Sequence, residues 1–386
     1  MSGVAAGSPD RFRLLFVVES GTDVRLVEGL AERTKLTVLG RRISGGRVIS
    51  REPAQSMEKI VGPTSRLRFA VQVLSTLLTR NHEFDAVIVQ GYGPAALAAN
   101  CSSRLHGTPT FMLVCSPVEL YYSCRKAHPG PGMPYSAFQL RALKMLARLN
   151  ARIGRQYVVL SNHLKEVVES HGTRRPVSVI PIYGIDTATF KPRTDSRTTI
   201  RRELGLPESG ELVFFSSRVA PEKDAETLID AAARLRASGR DLWLLHLSGG
   251  HEEFLRAADK VGIASRVIAR DAVHPVNDLP AYYQVSDVCV QASREEGLGF
   301  SPLEALACEV PVVAAAAGGL TQTIREGETG WSYPVGDARS LANAIECALT
   351  QPEEAGRRAR AGRDMVVADY EREVVYDRLM LLLESR

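Results

Sequence analysis

Residues 288–304 read Val-Cys-Val-Gln-Ala-Ser-Arg-Glu-Glu-Gly-Leu-Gly-Phe-Ser-Pro-Leu-Glu: a short β-branched run, a polar turn with two glycines, and the opening of a helix. Strand, turn and helix in this order form the unit of a parallel α/β sheet, whose ligands bind at the carboxyl ends of the strands. Gly297 and Gly299 let the backbone approach a ligand. The helix starting near Pro302 aims free N–H groups and a positive dipole end at the same place, which suits a phosphate. Ser301-Pro302-Leu303-Glu304 also reads as a capping box, with Ser as N-cap and Glu at the third helical position. Capping alone accounts for Glu304. It does not account for Glu296 eight positions earlier, which favours a functional reading.

The same alternation extends in both directions. Residues 14–18, 36–39, 86–90, 110–114, 157–160 and 177–181 predict one set of buried strands; residues 211–216, 242–247, 266–269, 288–291 and 312–316 predict a second, with helical patterns between them. Single cores rarely exceed roughly 250 residues, so a chain of 386 residues implies two domains. The stretch 181–197, with Pro181 and Pro192, has the most linker-like composition and sets the boundary near 190. We therefore expect an α/β protein of two Rossmann-like parallel-sheet domains, 1–190 and 191–370. Residues 366–386, with Val374, Val375, Leu379, Leu382 and Leu383 at helical spacing, would form one closing amphipathic helix.

Composition narrows the function classes. No stretch approaches the roughly 20 apolar residues of a membrane span, and Leu14–Val18 behind Asp10, Arg11 and Arg13 is too short for a signal-peptide core. A cytoplasmic location is expected. The six cysteines at 101, 115, 124, 289, 308 and 347 form no CxxC pair or Cys/His cluster, so they read as reduced thiols without metal. The net charge of +4 conceals an asymmetry: 24 Lys+Arg against 13 Asp+Glu in residues 1–190, and 24 against 31 in 191–386. A basic first half suits an anionic partner, and charge drift between domains explains it equally well.

Two further clusters follow predicted strands. Ser216-Ser-Arg-Val-Ala-Pro-Glu-Lys223 offers Arg218, whose fork grips phosphate oxygens, and Lys223 as a point charge, a pair that suits a diphosphate. Gly318-Gly319 makes an N–H-rich turn able to cradle an anion. Ser217-Arg218 with Glu222-Lys223, then Glu296 to Glu304 with Ala305 to Val313, then Gly318-Gly319 and Gly327-Glu-Thr-Gly330 resemble glycosyltransferase family 4. The resemblance is strong over about 211–335, moderate over 179–190 and weak before that.

The resemblance implies the GT-B arrangement, two Rossmann-like domains facing across a cleft with a C-terminal helix, 371–386, crossing back to the first. It implies a retaining hexosyltransferase whose co-substrate is a nucleoside-diphosphate sugar, with no cofactor and no metal; Asp-x-Asp is absent from the sequence. Glu304 would take the ribose hydroxyls, Glu296 the sugar hydroxyls, and Arg218 and Lys223 the diphosphate; Gly297, Leu298, Gly299 and Phe300 would line the donor. Ala272 and Val273 would offer backbone to the base. Gly21 is the close-approach residue after the first strand. Cys115 stands where that family carries a histidine, with Glu119 nearby as a substitute or as a helix-start carboxylate.

The first domain would bind the acceptor, lipid-linked or a saccharide precursor. Gln139 to Gln156 carries Arg141, Lys144, Arg148, Arg152 and Arg155, no acid, and leucines at helical spacing. Such a helix either lies on an anionic bilayer or is an ordinary domain helix with its polar face in water. Sparse aromatic residues argue against nucleic acid. An epimerase on the same fold, or a binding protein that has lost turnover, are the alternatives.

Overall fold

The computed structural model describes residues 11–44, 47–128, 136–192 and 196–385. Asp10, residues 193–195 of the expected linker, and Arg386 lie outside them. Among the described residues, seven strands form the first sheet: β1 (Arg13–Val18), β2 (Lys35–Arg41), β3 (Glu58–Gly62), β4 (Ala86–Gln90), β5 (Thr110–Val114), β6 (Gln156–Val159) and β7 (Val177–Val179). Six form the second: β8 (Glu211–Phe215), β9 (Leu242–Leu247), β10 (Val267–Arg270), β11 (Val288–Gln291), β12 (Val312–Ala315) and β13 (Trp331–Tyr333).

The orders are β3-β2-β1-β4-β5-β6-β7 and β10-β9-β8-β11-β12-β13, with every pairing parallel. Each order reverses once, between β1 and β4 in the first sheet and between β8 and β11 in the second. Crossover connections leave at such a point in opposite directions and open a crevice there. The central strands are apolar on both faces because helices cover both: Leu14 to Val18 of β1 and Leu212 to Phe215 of β8 are buried.

Two strands carry no signal in the sequence reading, β3 and β13, and both are edges. Glu58, Lys59 and Val61 of β3 are exposed, so the strand lacks the apolar run that marks a central one. β13 has only three residues.

The closing helix is not continuous. Val366–Tyr370 forms a wide turn, Glu371 pairs with Ile185, and the last helix runs Arg372–Glu384. Gly184, at φ +61, sits too close to Arg372 for a side chain, which fixes this crossing. The last helix docks on the first domain: Tyr376 is fully buried and its ring occupies the space where a Gly29 side chain would stand. Arg372 pairs with Glu32 at 2.6 Å. The basic helix runs Ala137–Ile153, opened by a capping box of Ser136 and Gln139. Arg155 lies beyond it and bonds the carbonyls of Ser103 and Gly107. No helix among the described residues is long and apolar enough to cross a membrane.

Candidate active site

At the switch between β8 and β11 the strand ends bring Ser216, Ser217 and Gln291 side by side. Gln291 Nε2 donates to Ser217 Oγ at 3.0 Å, Ser293 Oγ at 2.7 Å and Glu296 Oε2 at 3.2 Å; Ser293 Oγ donates to the same carboxylate oxygen at 3.1 Å. Lys223 Nζ closes on it at 2.5 Å. Ser216 Oγ meets Tyr283 OH at 3.0 Å, and Tyr283 OH donates to Glu304 Oε2 at 2.8 Å. Two hydrogen-bonded groups thus stand side by side, Glu304 with Tyr283 and Ser216, and Glu296 with Lys223, Ser293, Gln291 and Ser217, brought together by the adjacent Ser216 and Ser217 and each held in place by its own bonds.

The capping-box reading of Glu304 fails. The helix is Phe300–Ala307, its N-cap is Gly299 at φ +94, and the cap makes no side-chain bond. Ser301 is already inside the helix, so Glu304 is released from capping. Its second oxygen instead meets Arg25 Nη1 from the first domain at 2.7 Å, and Arg25 also chelates Asp23. Burial would lower the Arg25 pKa, but the two carboxylates outweigh that and hold it above its ordinary value.

Arg218 is half-exposed and bonds Glu222 Oε1 at 2.8 Å. Glu222 is fully buried and receives Arg125 of the first domain at 2.8 Å and 2.6 Å. Burial would raise this carboxyl; Arg125 and Arg218 outweigh it and leave it below the usual range. Tyr121, one turn before Arg125, is pushed well above its ordinary value by burial and by Glu296, Glu222 and Glu295, which places its phenol in the same acidic surroundings.

The glycines expected to admit a ligand also serve contact between the domains and between the turns. A side chain on Gly297 would come within 2.8 Å of the Cys115 carbonyl. One on Gly318 or Gly319 would collide with the backbone of residues 296–297. The two turns are locked by Gly319 N–H to the Glu296 carbonyl at 2.9 Å. Ser161 Oγ donates to the Gly297 carbonyl at 2.5 Å, Gln322 Oε1 accepts from Asn162 N–H at 3.0 Å, and His163 pairs with Glu295 at 2.7 Å. Leu298 is buried, and Phe300 meets Tyr183 edge-on at 4.7 Å. Ala272 and Val273 lie in the loop after β10, where Arg51 of the first domain reaches the Val273 carbonyl at 3.4 Å.

On the first-domain side, Gly21 (φ +95) and Cys115 line a cavity of about 420 Å³. Burial pushes the Cys115 thiol up to about 12, so it keeps its proton at neutral pH. Glu119 is committed to structural partners: it is buried, bonds His171 Nε2 at 2.6 Å and accepts from Tyr92 OH, tying three segments together. The sequence reading missed Arg25, Arg125, Tyr121 and Tyr283, because the groups they face lie in the other domain or in elements remote in sequence.

Residues 196–365 match the family model described as Glycosyl transferases group 1. The GDP-mannose-dependent alpha-(1-6)-phosphatidylinositol monomannoside mannosyltransferase of Mycolicibacterium smegmatis is 33% identical over 212 residues, 53% of this chain and 55% of its own. The D-inositol 3-phosphate glycosyltransferase of Geodermatophilus obscurus is 34% identical over 217 residues, 52% of this chain and 47% of its own. The chain thus spans about half the length of these relatives. The solved structure of Anabaena HepE in complex with UDP-glucose superposes with a TM-score of 0.76 over 97% of this chain and 100% of that one, at 19% identity. The two facing Rossmann-like domains are the GT-B fold.

Proposed function

We propose that the protein transfers a hexosyl group from a nucleoside-diphosphate sugar, UDP- or GDP-linked, to a hydroxyl of a lipid-linked or saccharide-precursor acceptor. It would act as a retaining, metal-independent member of glycosyltransferase family 4. The observation that carries this is the pair of hydrogen-bonded groups set side by side at the β8/β11 switch point, Glu304 with Tyr283 and Ser216, and Glu296 with Lys223 and Gln291. The first offers a carboxylate to accept from ribose hydroxyls and the second a cation–carboxylate pair. The family match covers this domain, one relative is GDP-mannose-dependent, and the HepE structure holds UDP-glucose, which all support a nucleotide-sugar donor.

In this reading Lys223 and Arg218 face the diphosphate and Glu296 accepts from sugar hydroxyls. As the bond between the anomeric carbon and the diphosphate oxygen breaks, its electron pair passes to that oxygen, and the two cations and the helix Phe300–Ala307 stabilise the charge. The acceptor oxygen bonds the anomeric carbon on the departing face, and its proton goes to a phosphate oxygen. Glu304 receives the ribose once Arg25 releases it. Cys115 supplies no base, because its proton is held.

The first domain presents the acceptor. Arg141, Lys144, Arg148 and Arg152 form one outward face of the helix Ala137–Ile153, with Met145 and Phe138 exposed beside them. This face suits peripheral contact with an anionic membrane on the cytoplasmic side, at about 1 kcal/mol per cation near the surface. Incubation with a panel of UDP- and GDP-hexoses tests the reading. We expect one to be slowly hydrolysed or transferred, in EDTA as well, with the anomeric configuration kept, and Lys223→Ala to abolish it. Consumption of none would overturn the assignment. Flotation with anionic vesicles that shows no salt-sensitive binding would remove the membrane contact.

A further inference from the structure

His246 is the penultimate residue of β9, fully buried, and no step of the proposed reaction uses it. Its ring lies parallel to that of Phe254, with centroids 4.5 Å apart, and stacks on Phe215 at 5.7 Å. Nε2 stands 3.0 Å from the Ser217 carbonyl, an oxygen that can only accept, so Nε2 carries the proton and donates. Nδ1 is then a bare acceptor, buried and without a hydrogen-bond partner among the described residues. Burial holds the ring's pKa below its ordinary value and keeps it neutral.

An unpaired acceptor in the core is unfavourable, and an aliphatic side chain would fill this aromatic-lined place without one. What the imidazole adds is the bond to Ser217. The Ser217 carbonyl belongs to the peptide plane that ends at the Arg218 nitrogen, and the next plane, which carries the Val219 N–H, is tied to the Gly249 carbonyl at 3.0 Å. Both planes that flank Arg218 are thus anchored to the end of β9 and the turn after it, which leaves its backbone torsions little freedom. A side chain on Gly250 would come within 2.7 Å of Val219, so the two turns are in direct contact. The Ser217 hydroxyl, which meets Gln291 Nε2 at 3.0 Å, ties the same residue to the Glu296 side of the cleft. Arg218 needs such support: its side chain is 54% exposed and its partner is Glu222. β9 lies beside β8 on the side away from β11 and supplies no group assigned to the donor.

From this geometry we infer that His246 is a positioning residue for the sugar transfer: its Nε2–H fixes the Ser217 carbonyl and so holds Arg218 where the diphosphate of the donor binds. It touches no substrate itself. The inference deepens the transferase reading and rests on it for the role of Arg218.

Calorimetric titration of UDP and GDP, and initial rates of consumption of their hexose conjugates, test it on the full chain. His246→Leu fills the place without a donor, and His246→Gln returns an N–H to the carbonyl. His246→Leu is expected to weaken the bound nucleotide and to lower kcat/KM, each by tenfold or more, and His246→Gln to recover most of both losses. The deciding measurement is a double-mutant cycle with Arg218→Ala. Because His246 acts through Arg218, His246→Leu should cost threefold or less once Arg218 is gone. A cooperative melt shows that each variant is folded; should His246→Leu not fold, His246→Met takes its place. Losses that simply multiply in the double variant, or equal losses in His246→Gln and His246→Leu, would overturn the inference and leave the transferase reading standing. Binding of neither nucleotide to the native protein would overturn both.

Discussion

Arg25 pairs with Glu304, the carboxylate proposed to receive the ribose, and replacing it separates the account from its rivals. Arg25→Met keeps most of the aliphatic stem and removes the charge. In the free protein it leaves Glu304, whose side chain is 4% exposed, with Tyr283 OH at 2.8 Å as its remaining partner. Breaking a buried pair costs roughly 3–5 kcal/mol; with the Arg25 side chain 22% exposed, the low end applies. At about 2–4 °C per kcal/mol for domains of this size, a loss of ~3 kcal/mol lowers Tm by about 6–12 °C. Nucleotide binding moves the other way. A charge-assisted hydrogen bond contributes roughly 1.5–3 kcal/mol, and removing the competitor should tighten UDP or GDP by about 10- to 100-fold at ~1.4 kcal/mol per decade. Calorimetric titration beside a melting curve reads both effects. Weaker nucleotide binding in Arg25→Met would refute the reasoning, since Arg25 would then be a ligand contact. An unchanged Tm would show that the pair contributes nothing.

Other expectations follow from the same contacts. Glu296→Gln keeps the bonds from Gln291 and Ser293 but frees Lys223, so turnover should fall by about 100-fold with nucleotide affinity within threefold, as for a group that acts mainly in the transition state; initial rates and titration check it. The hydrogen bond to Glu295 raises His163 above its ordinary 6.5 against the effect of burial. A raised folded value means stability fully present below pH 6.5 and lost as pH rises through the folded value. The Tm difference between native protein and His163→Gln should therefore be largest at pH 6 and vanish by pH 9, at ~1 kcal/mol. Iodoacetamide at pH 8 should label the exposed Cys101 and spare Cys115, as peptide mass spectrometry would show.

The second domain was largely legible because its chemistry is local: Arg218, Lys223, Glu296 and Glu304 follow two adjacent strands, with Lys223 paired to Glu296, Arg218 to Glu222 and Glu304 bonded by Tyr283. The cleft was not, because its pairs are remote in sequence. Arg25 and Glu304 are separated by 279 positions and Arg125 and Glu222 by 97, and no periodicity couples them. Gly318-Gly319 read as an anion cradle, and the backbone of 296–297 supplies a second reason for both glycines. Ser301 and Pro302 carry the residue types of a helix start, but the left-handed Gly299 begins the helix earlier and frees Glu304. Edge strands β3 and β13 escaped because half-exposed and three-residue strands show little pattern.

The central claim is that Glu304 and its network hold a nucleotide, and titration of UDP and GDP into the native protein and Glu304→Ala tests it most directly. At about 100 times its dissociation constant a bound nucleotide adds roughly 2.7 kcal/mol of stability, so a melting curve gives an independent reading. The account predicts that one nucleotide binds the native protein and that Glu304→Ala, still folded, loses it by at least tenfold. Equal binding to both proteins, or binding to neither, would contradict it.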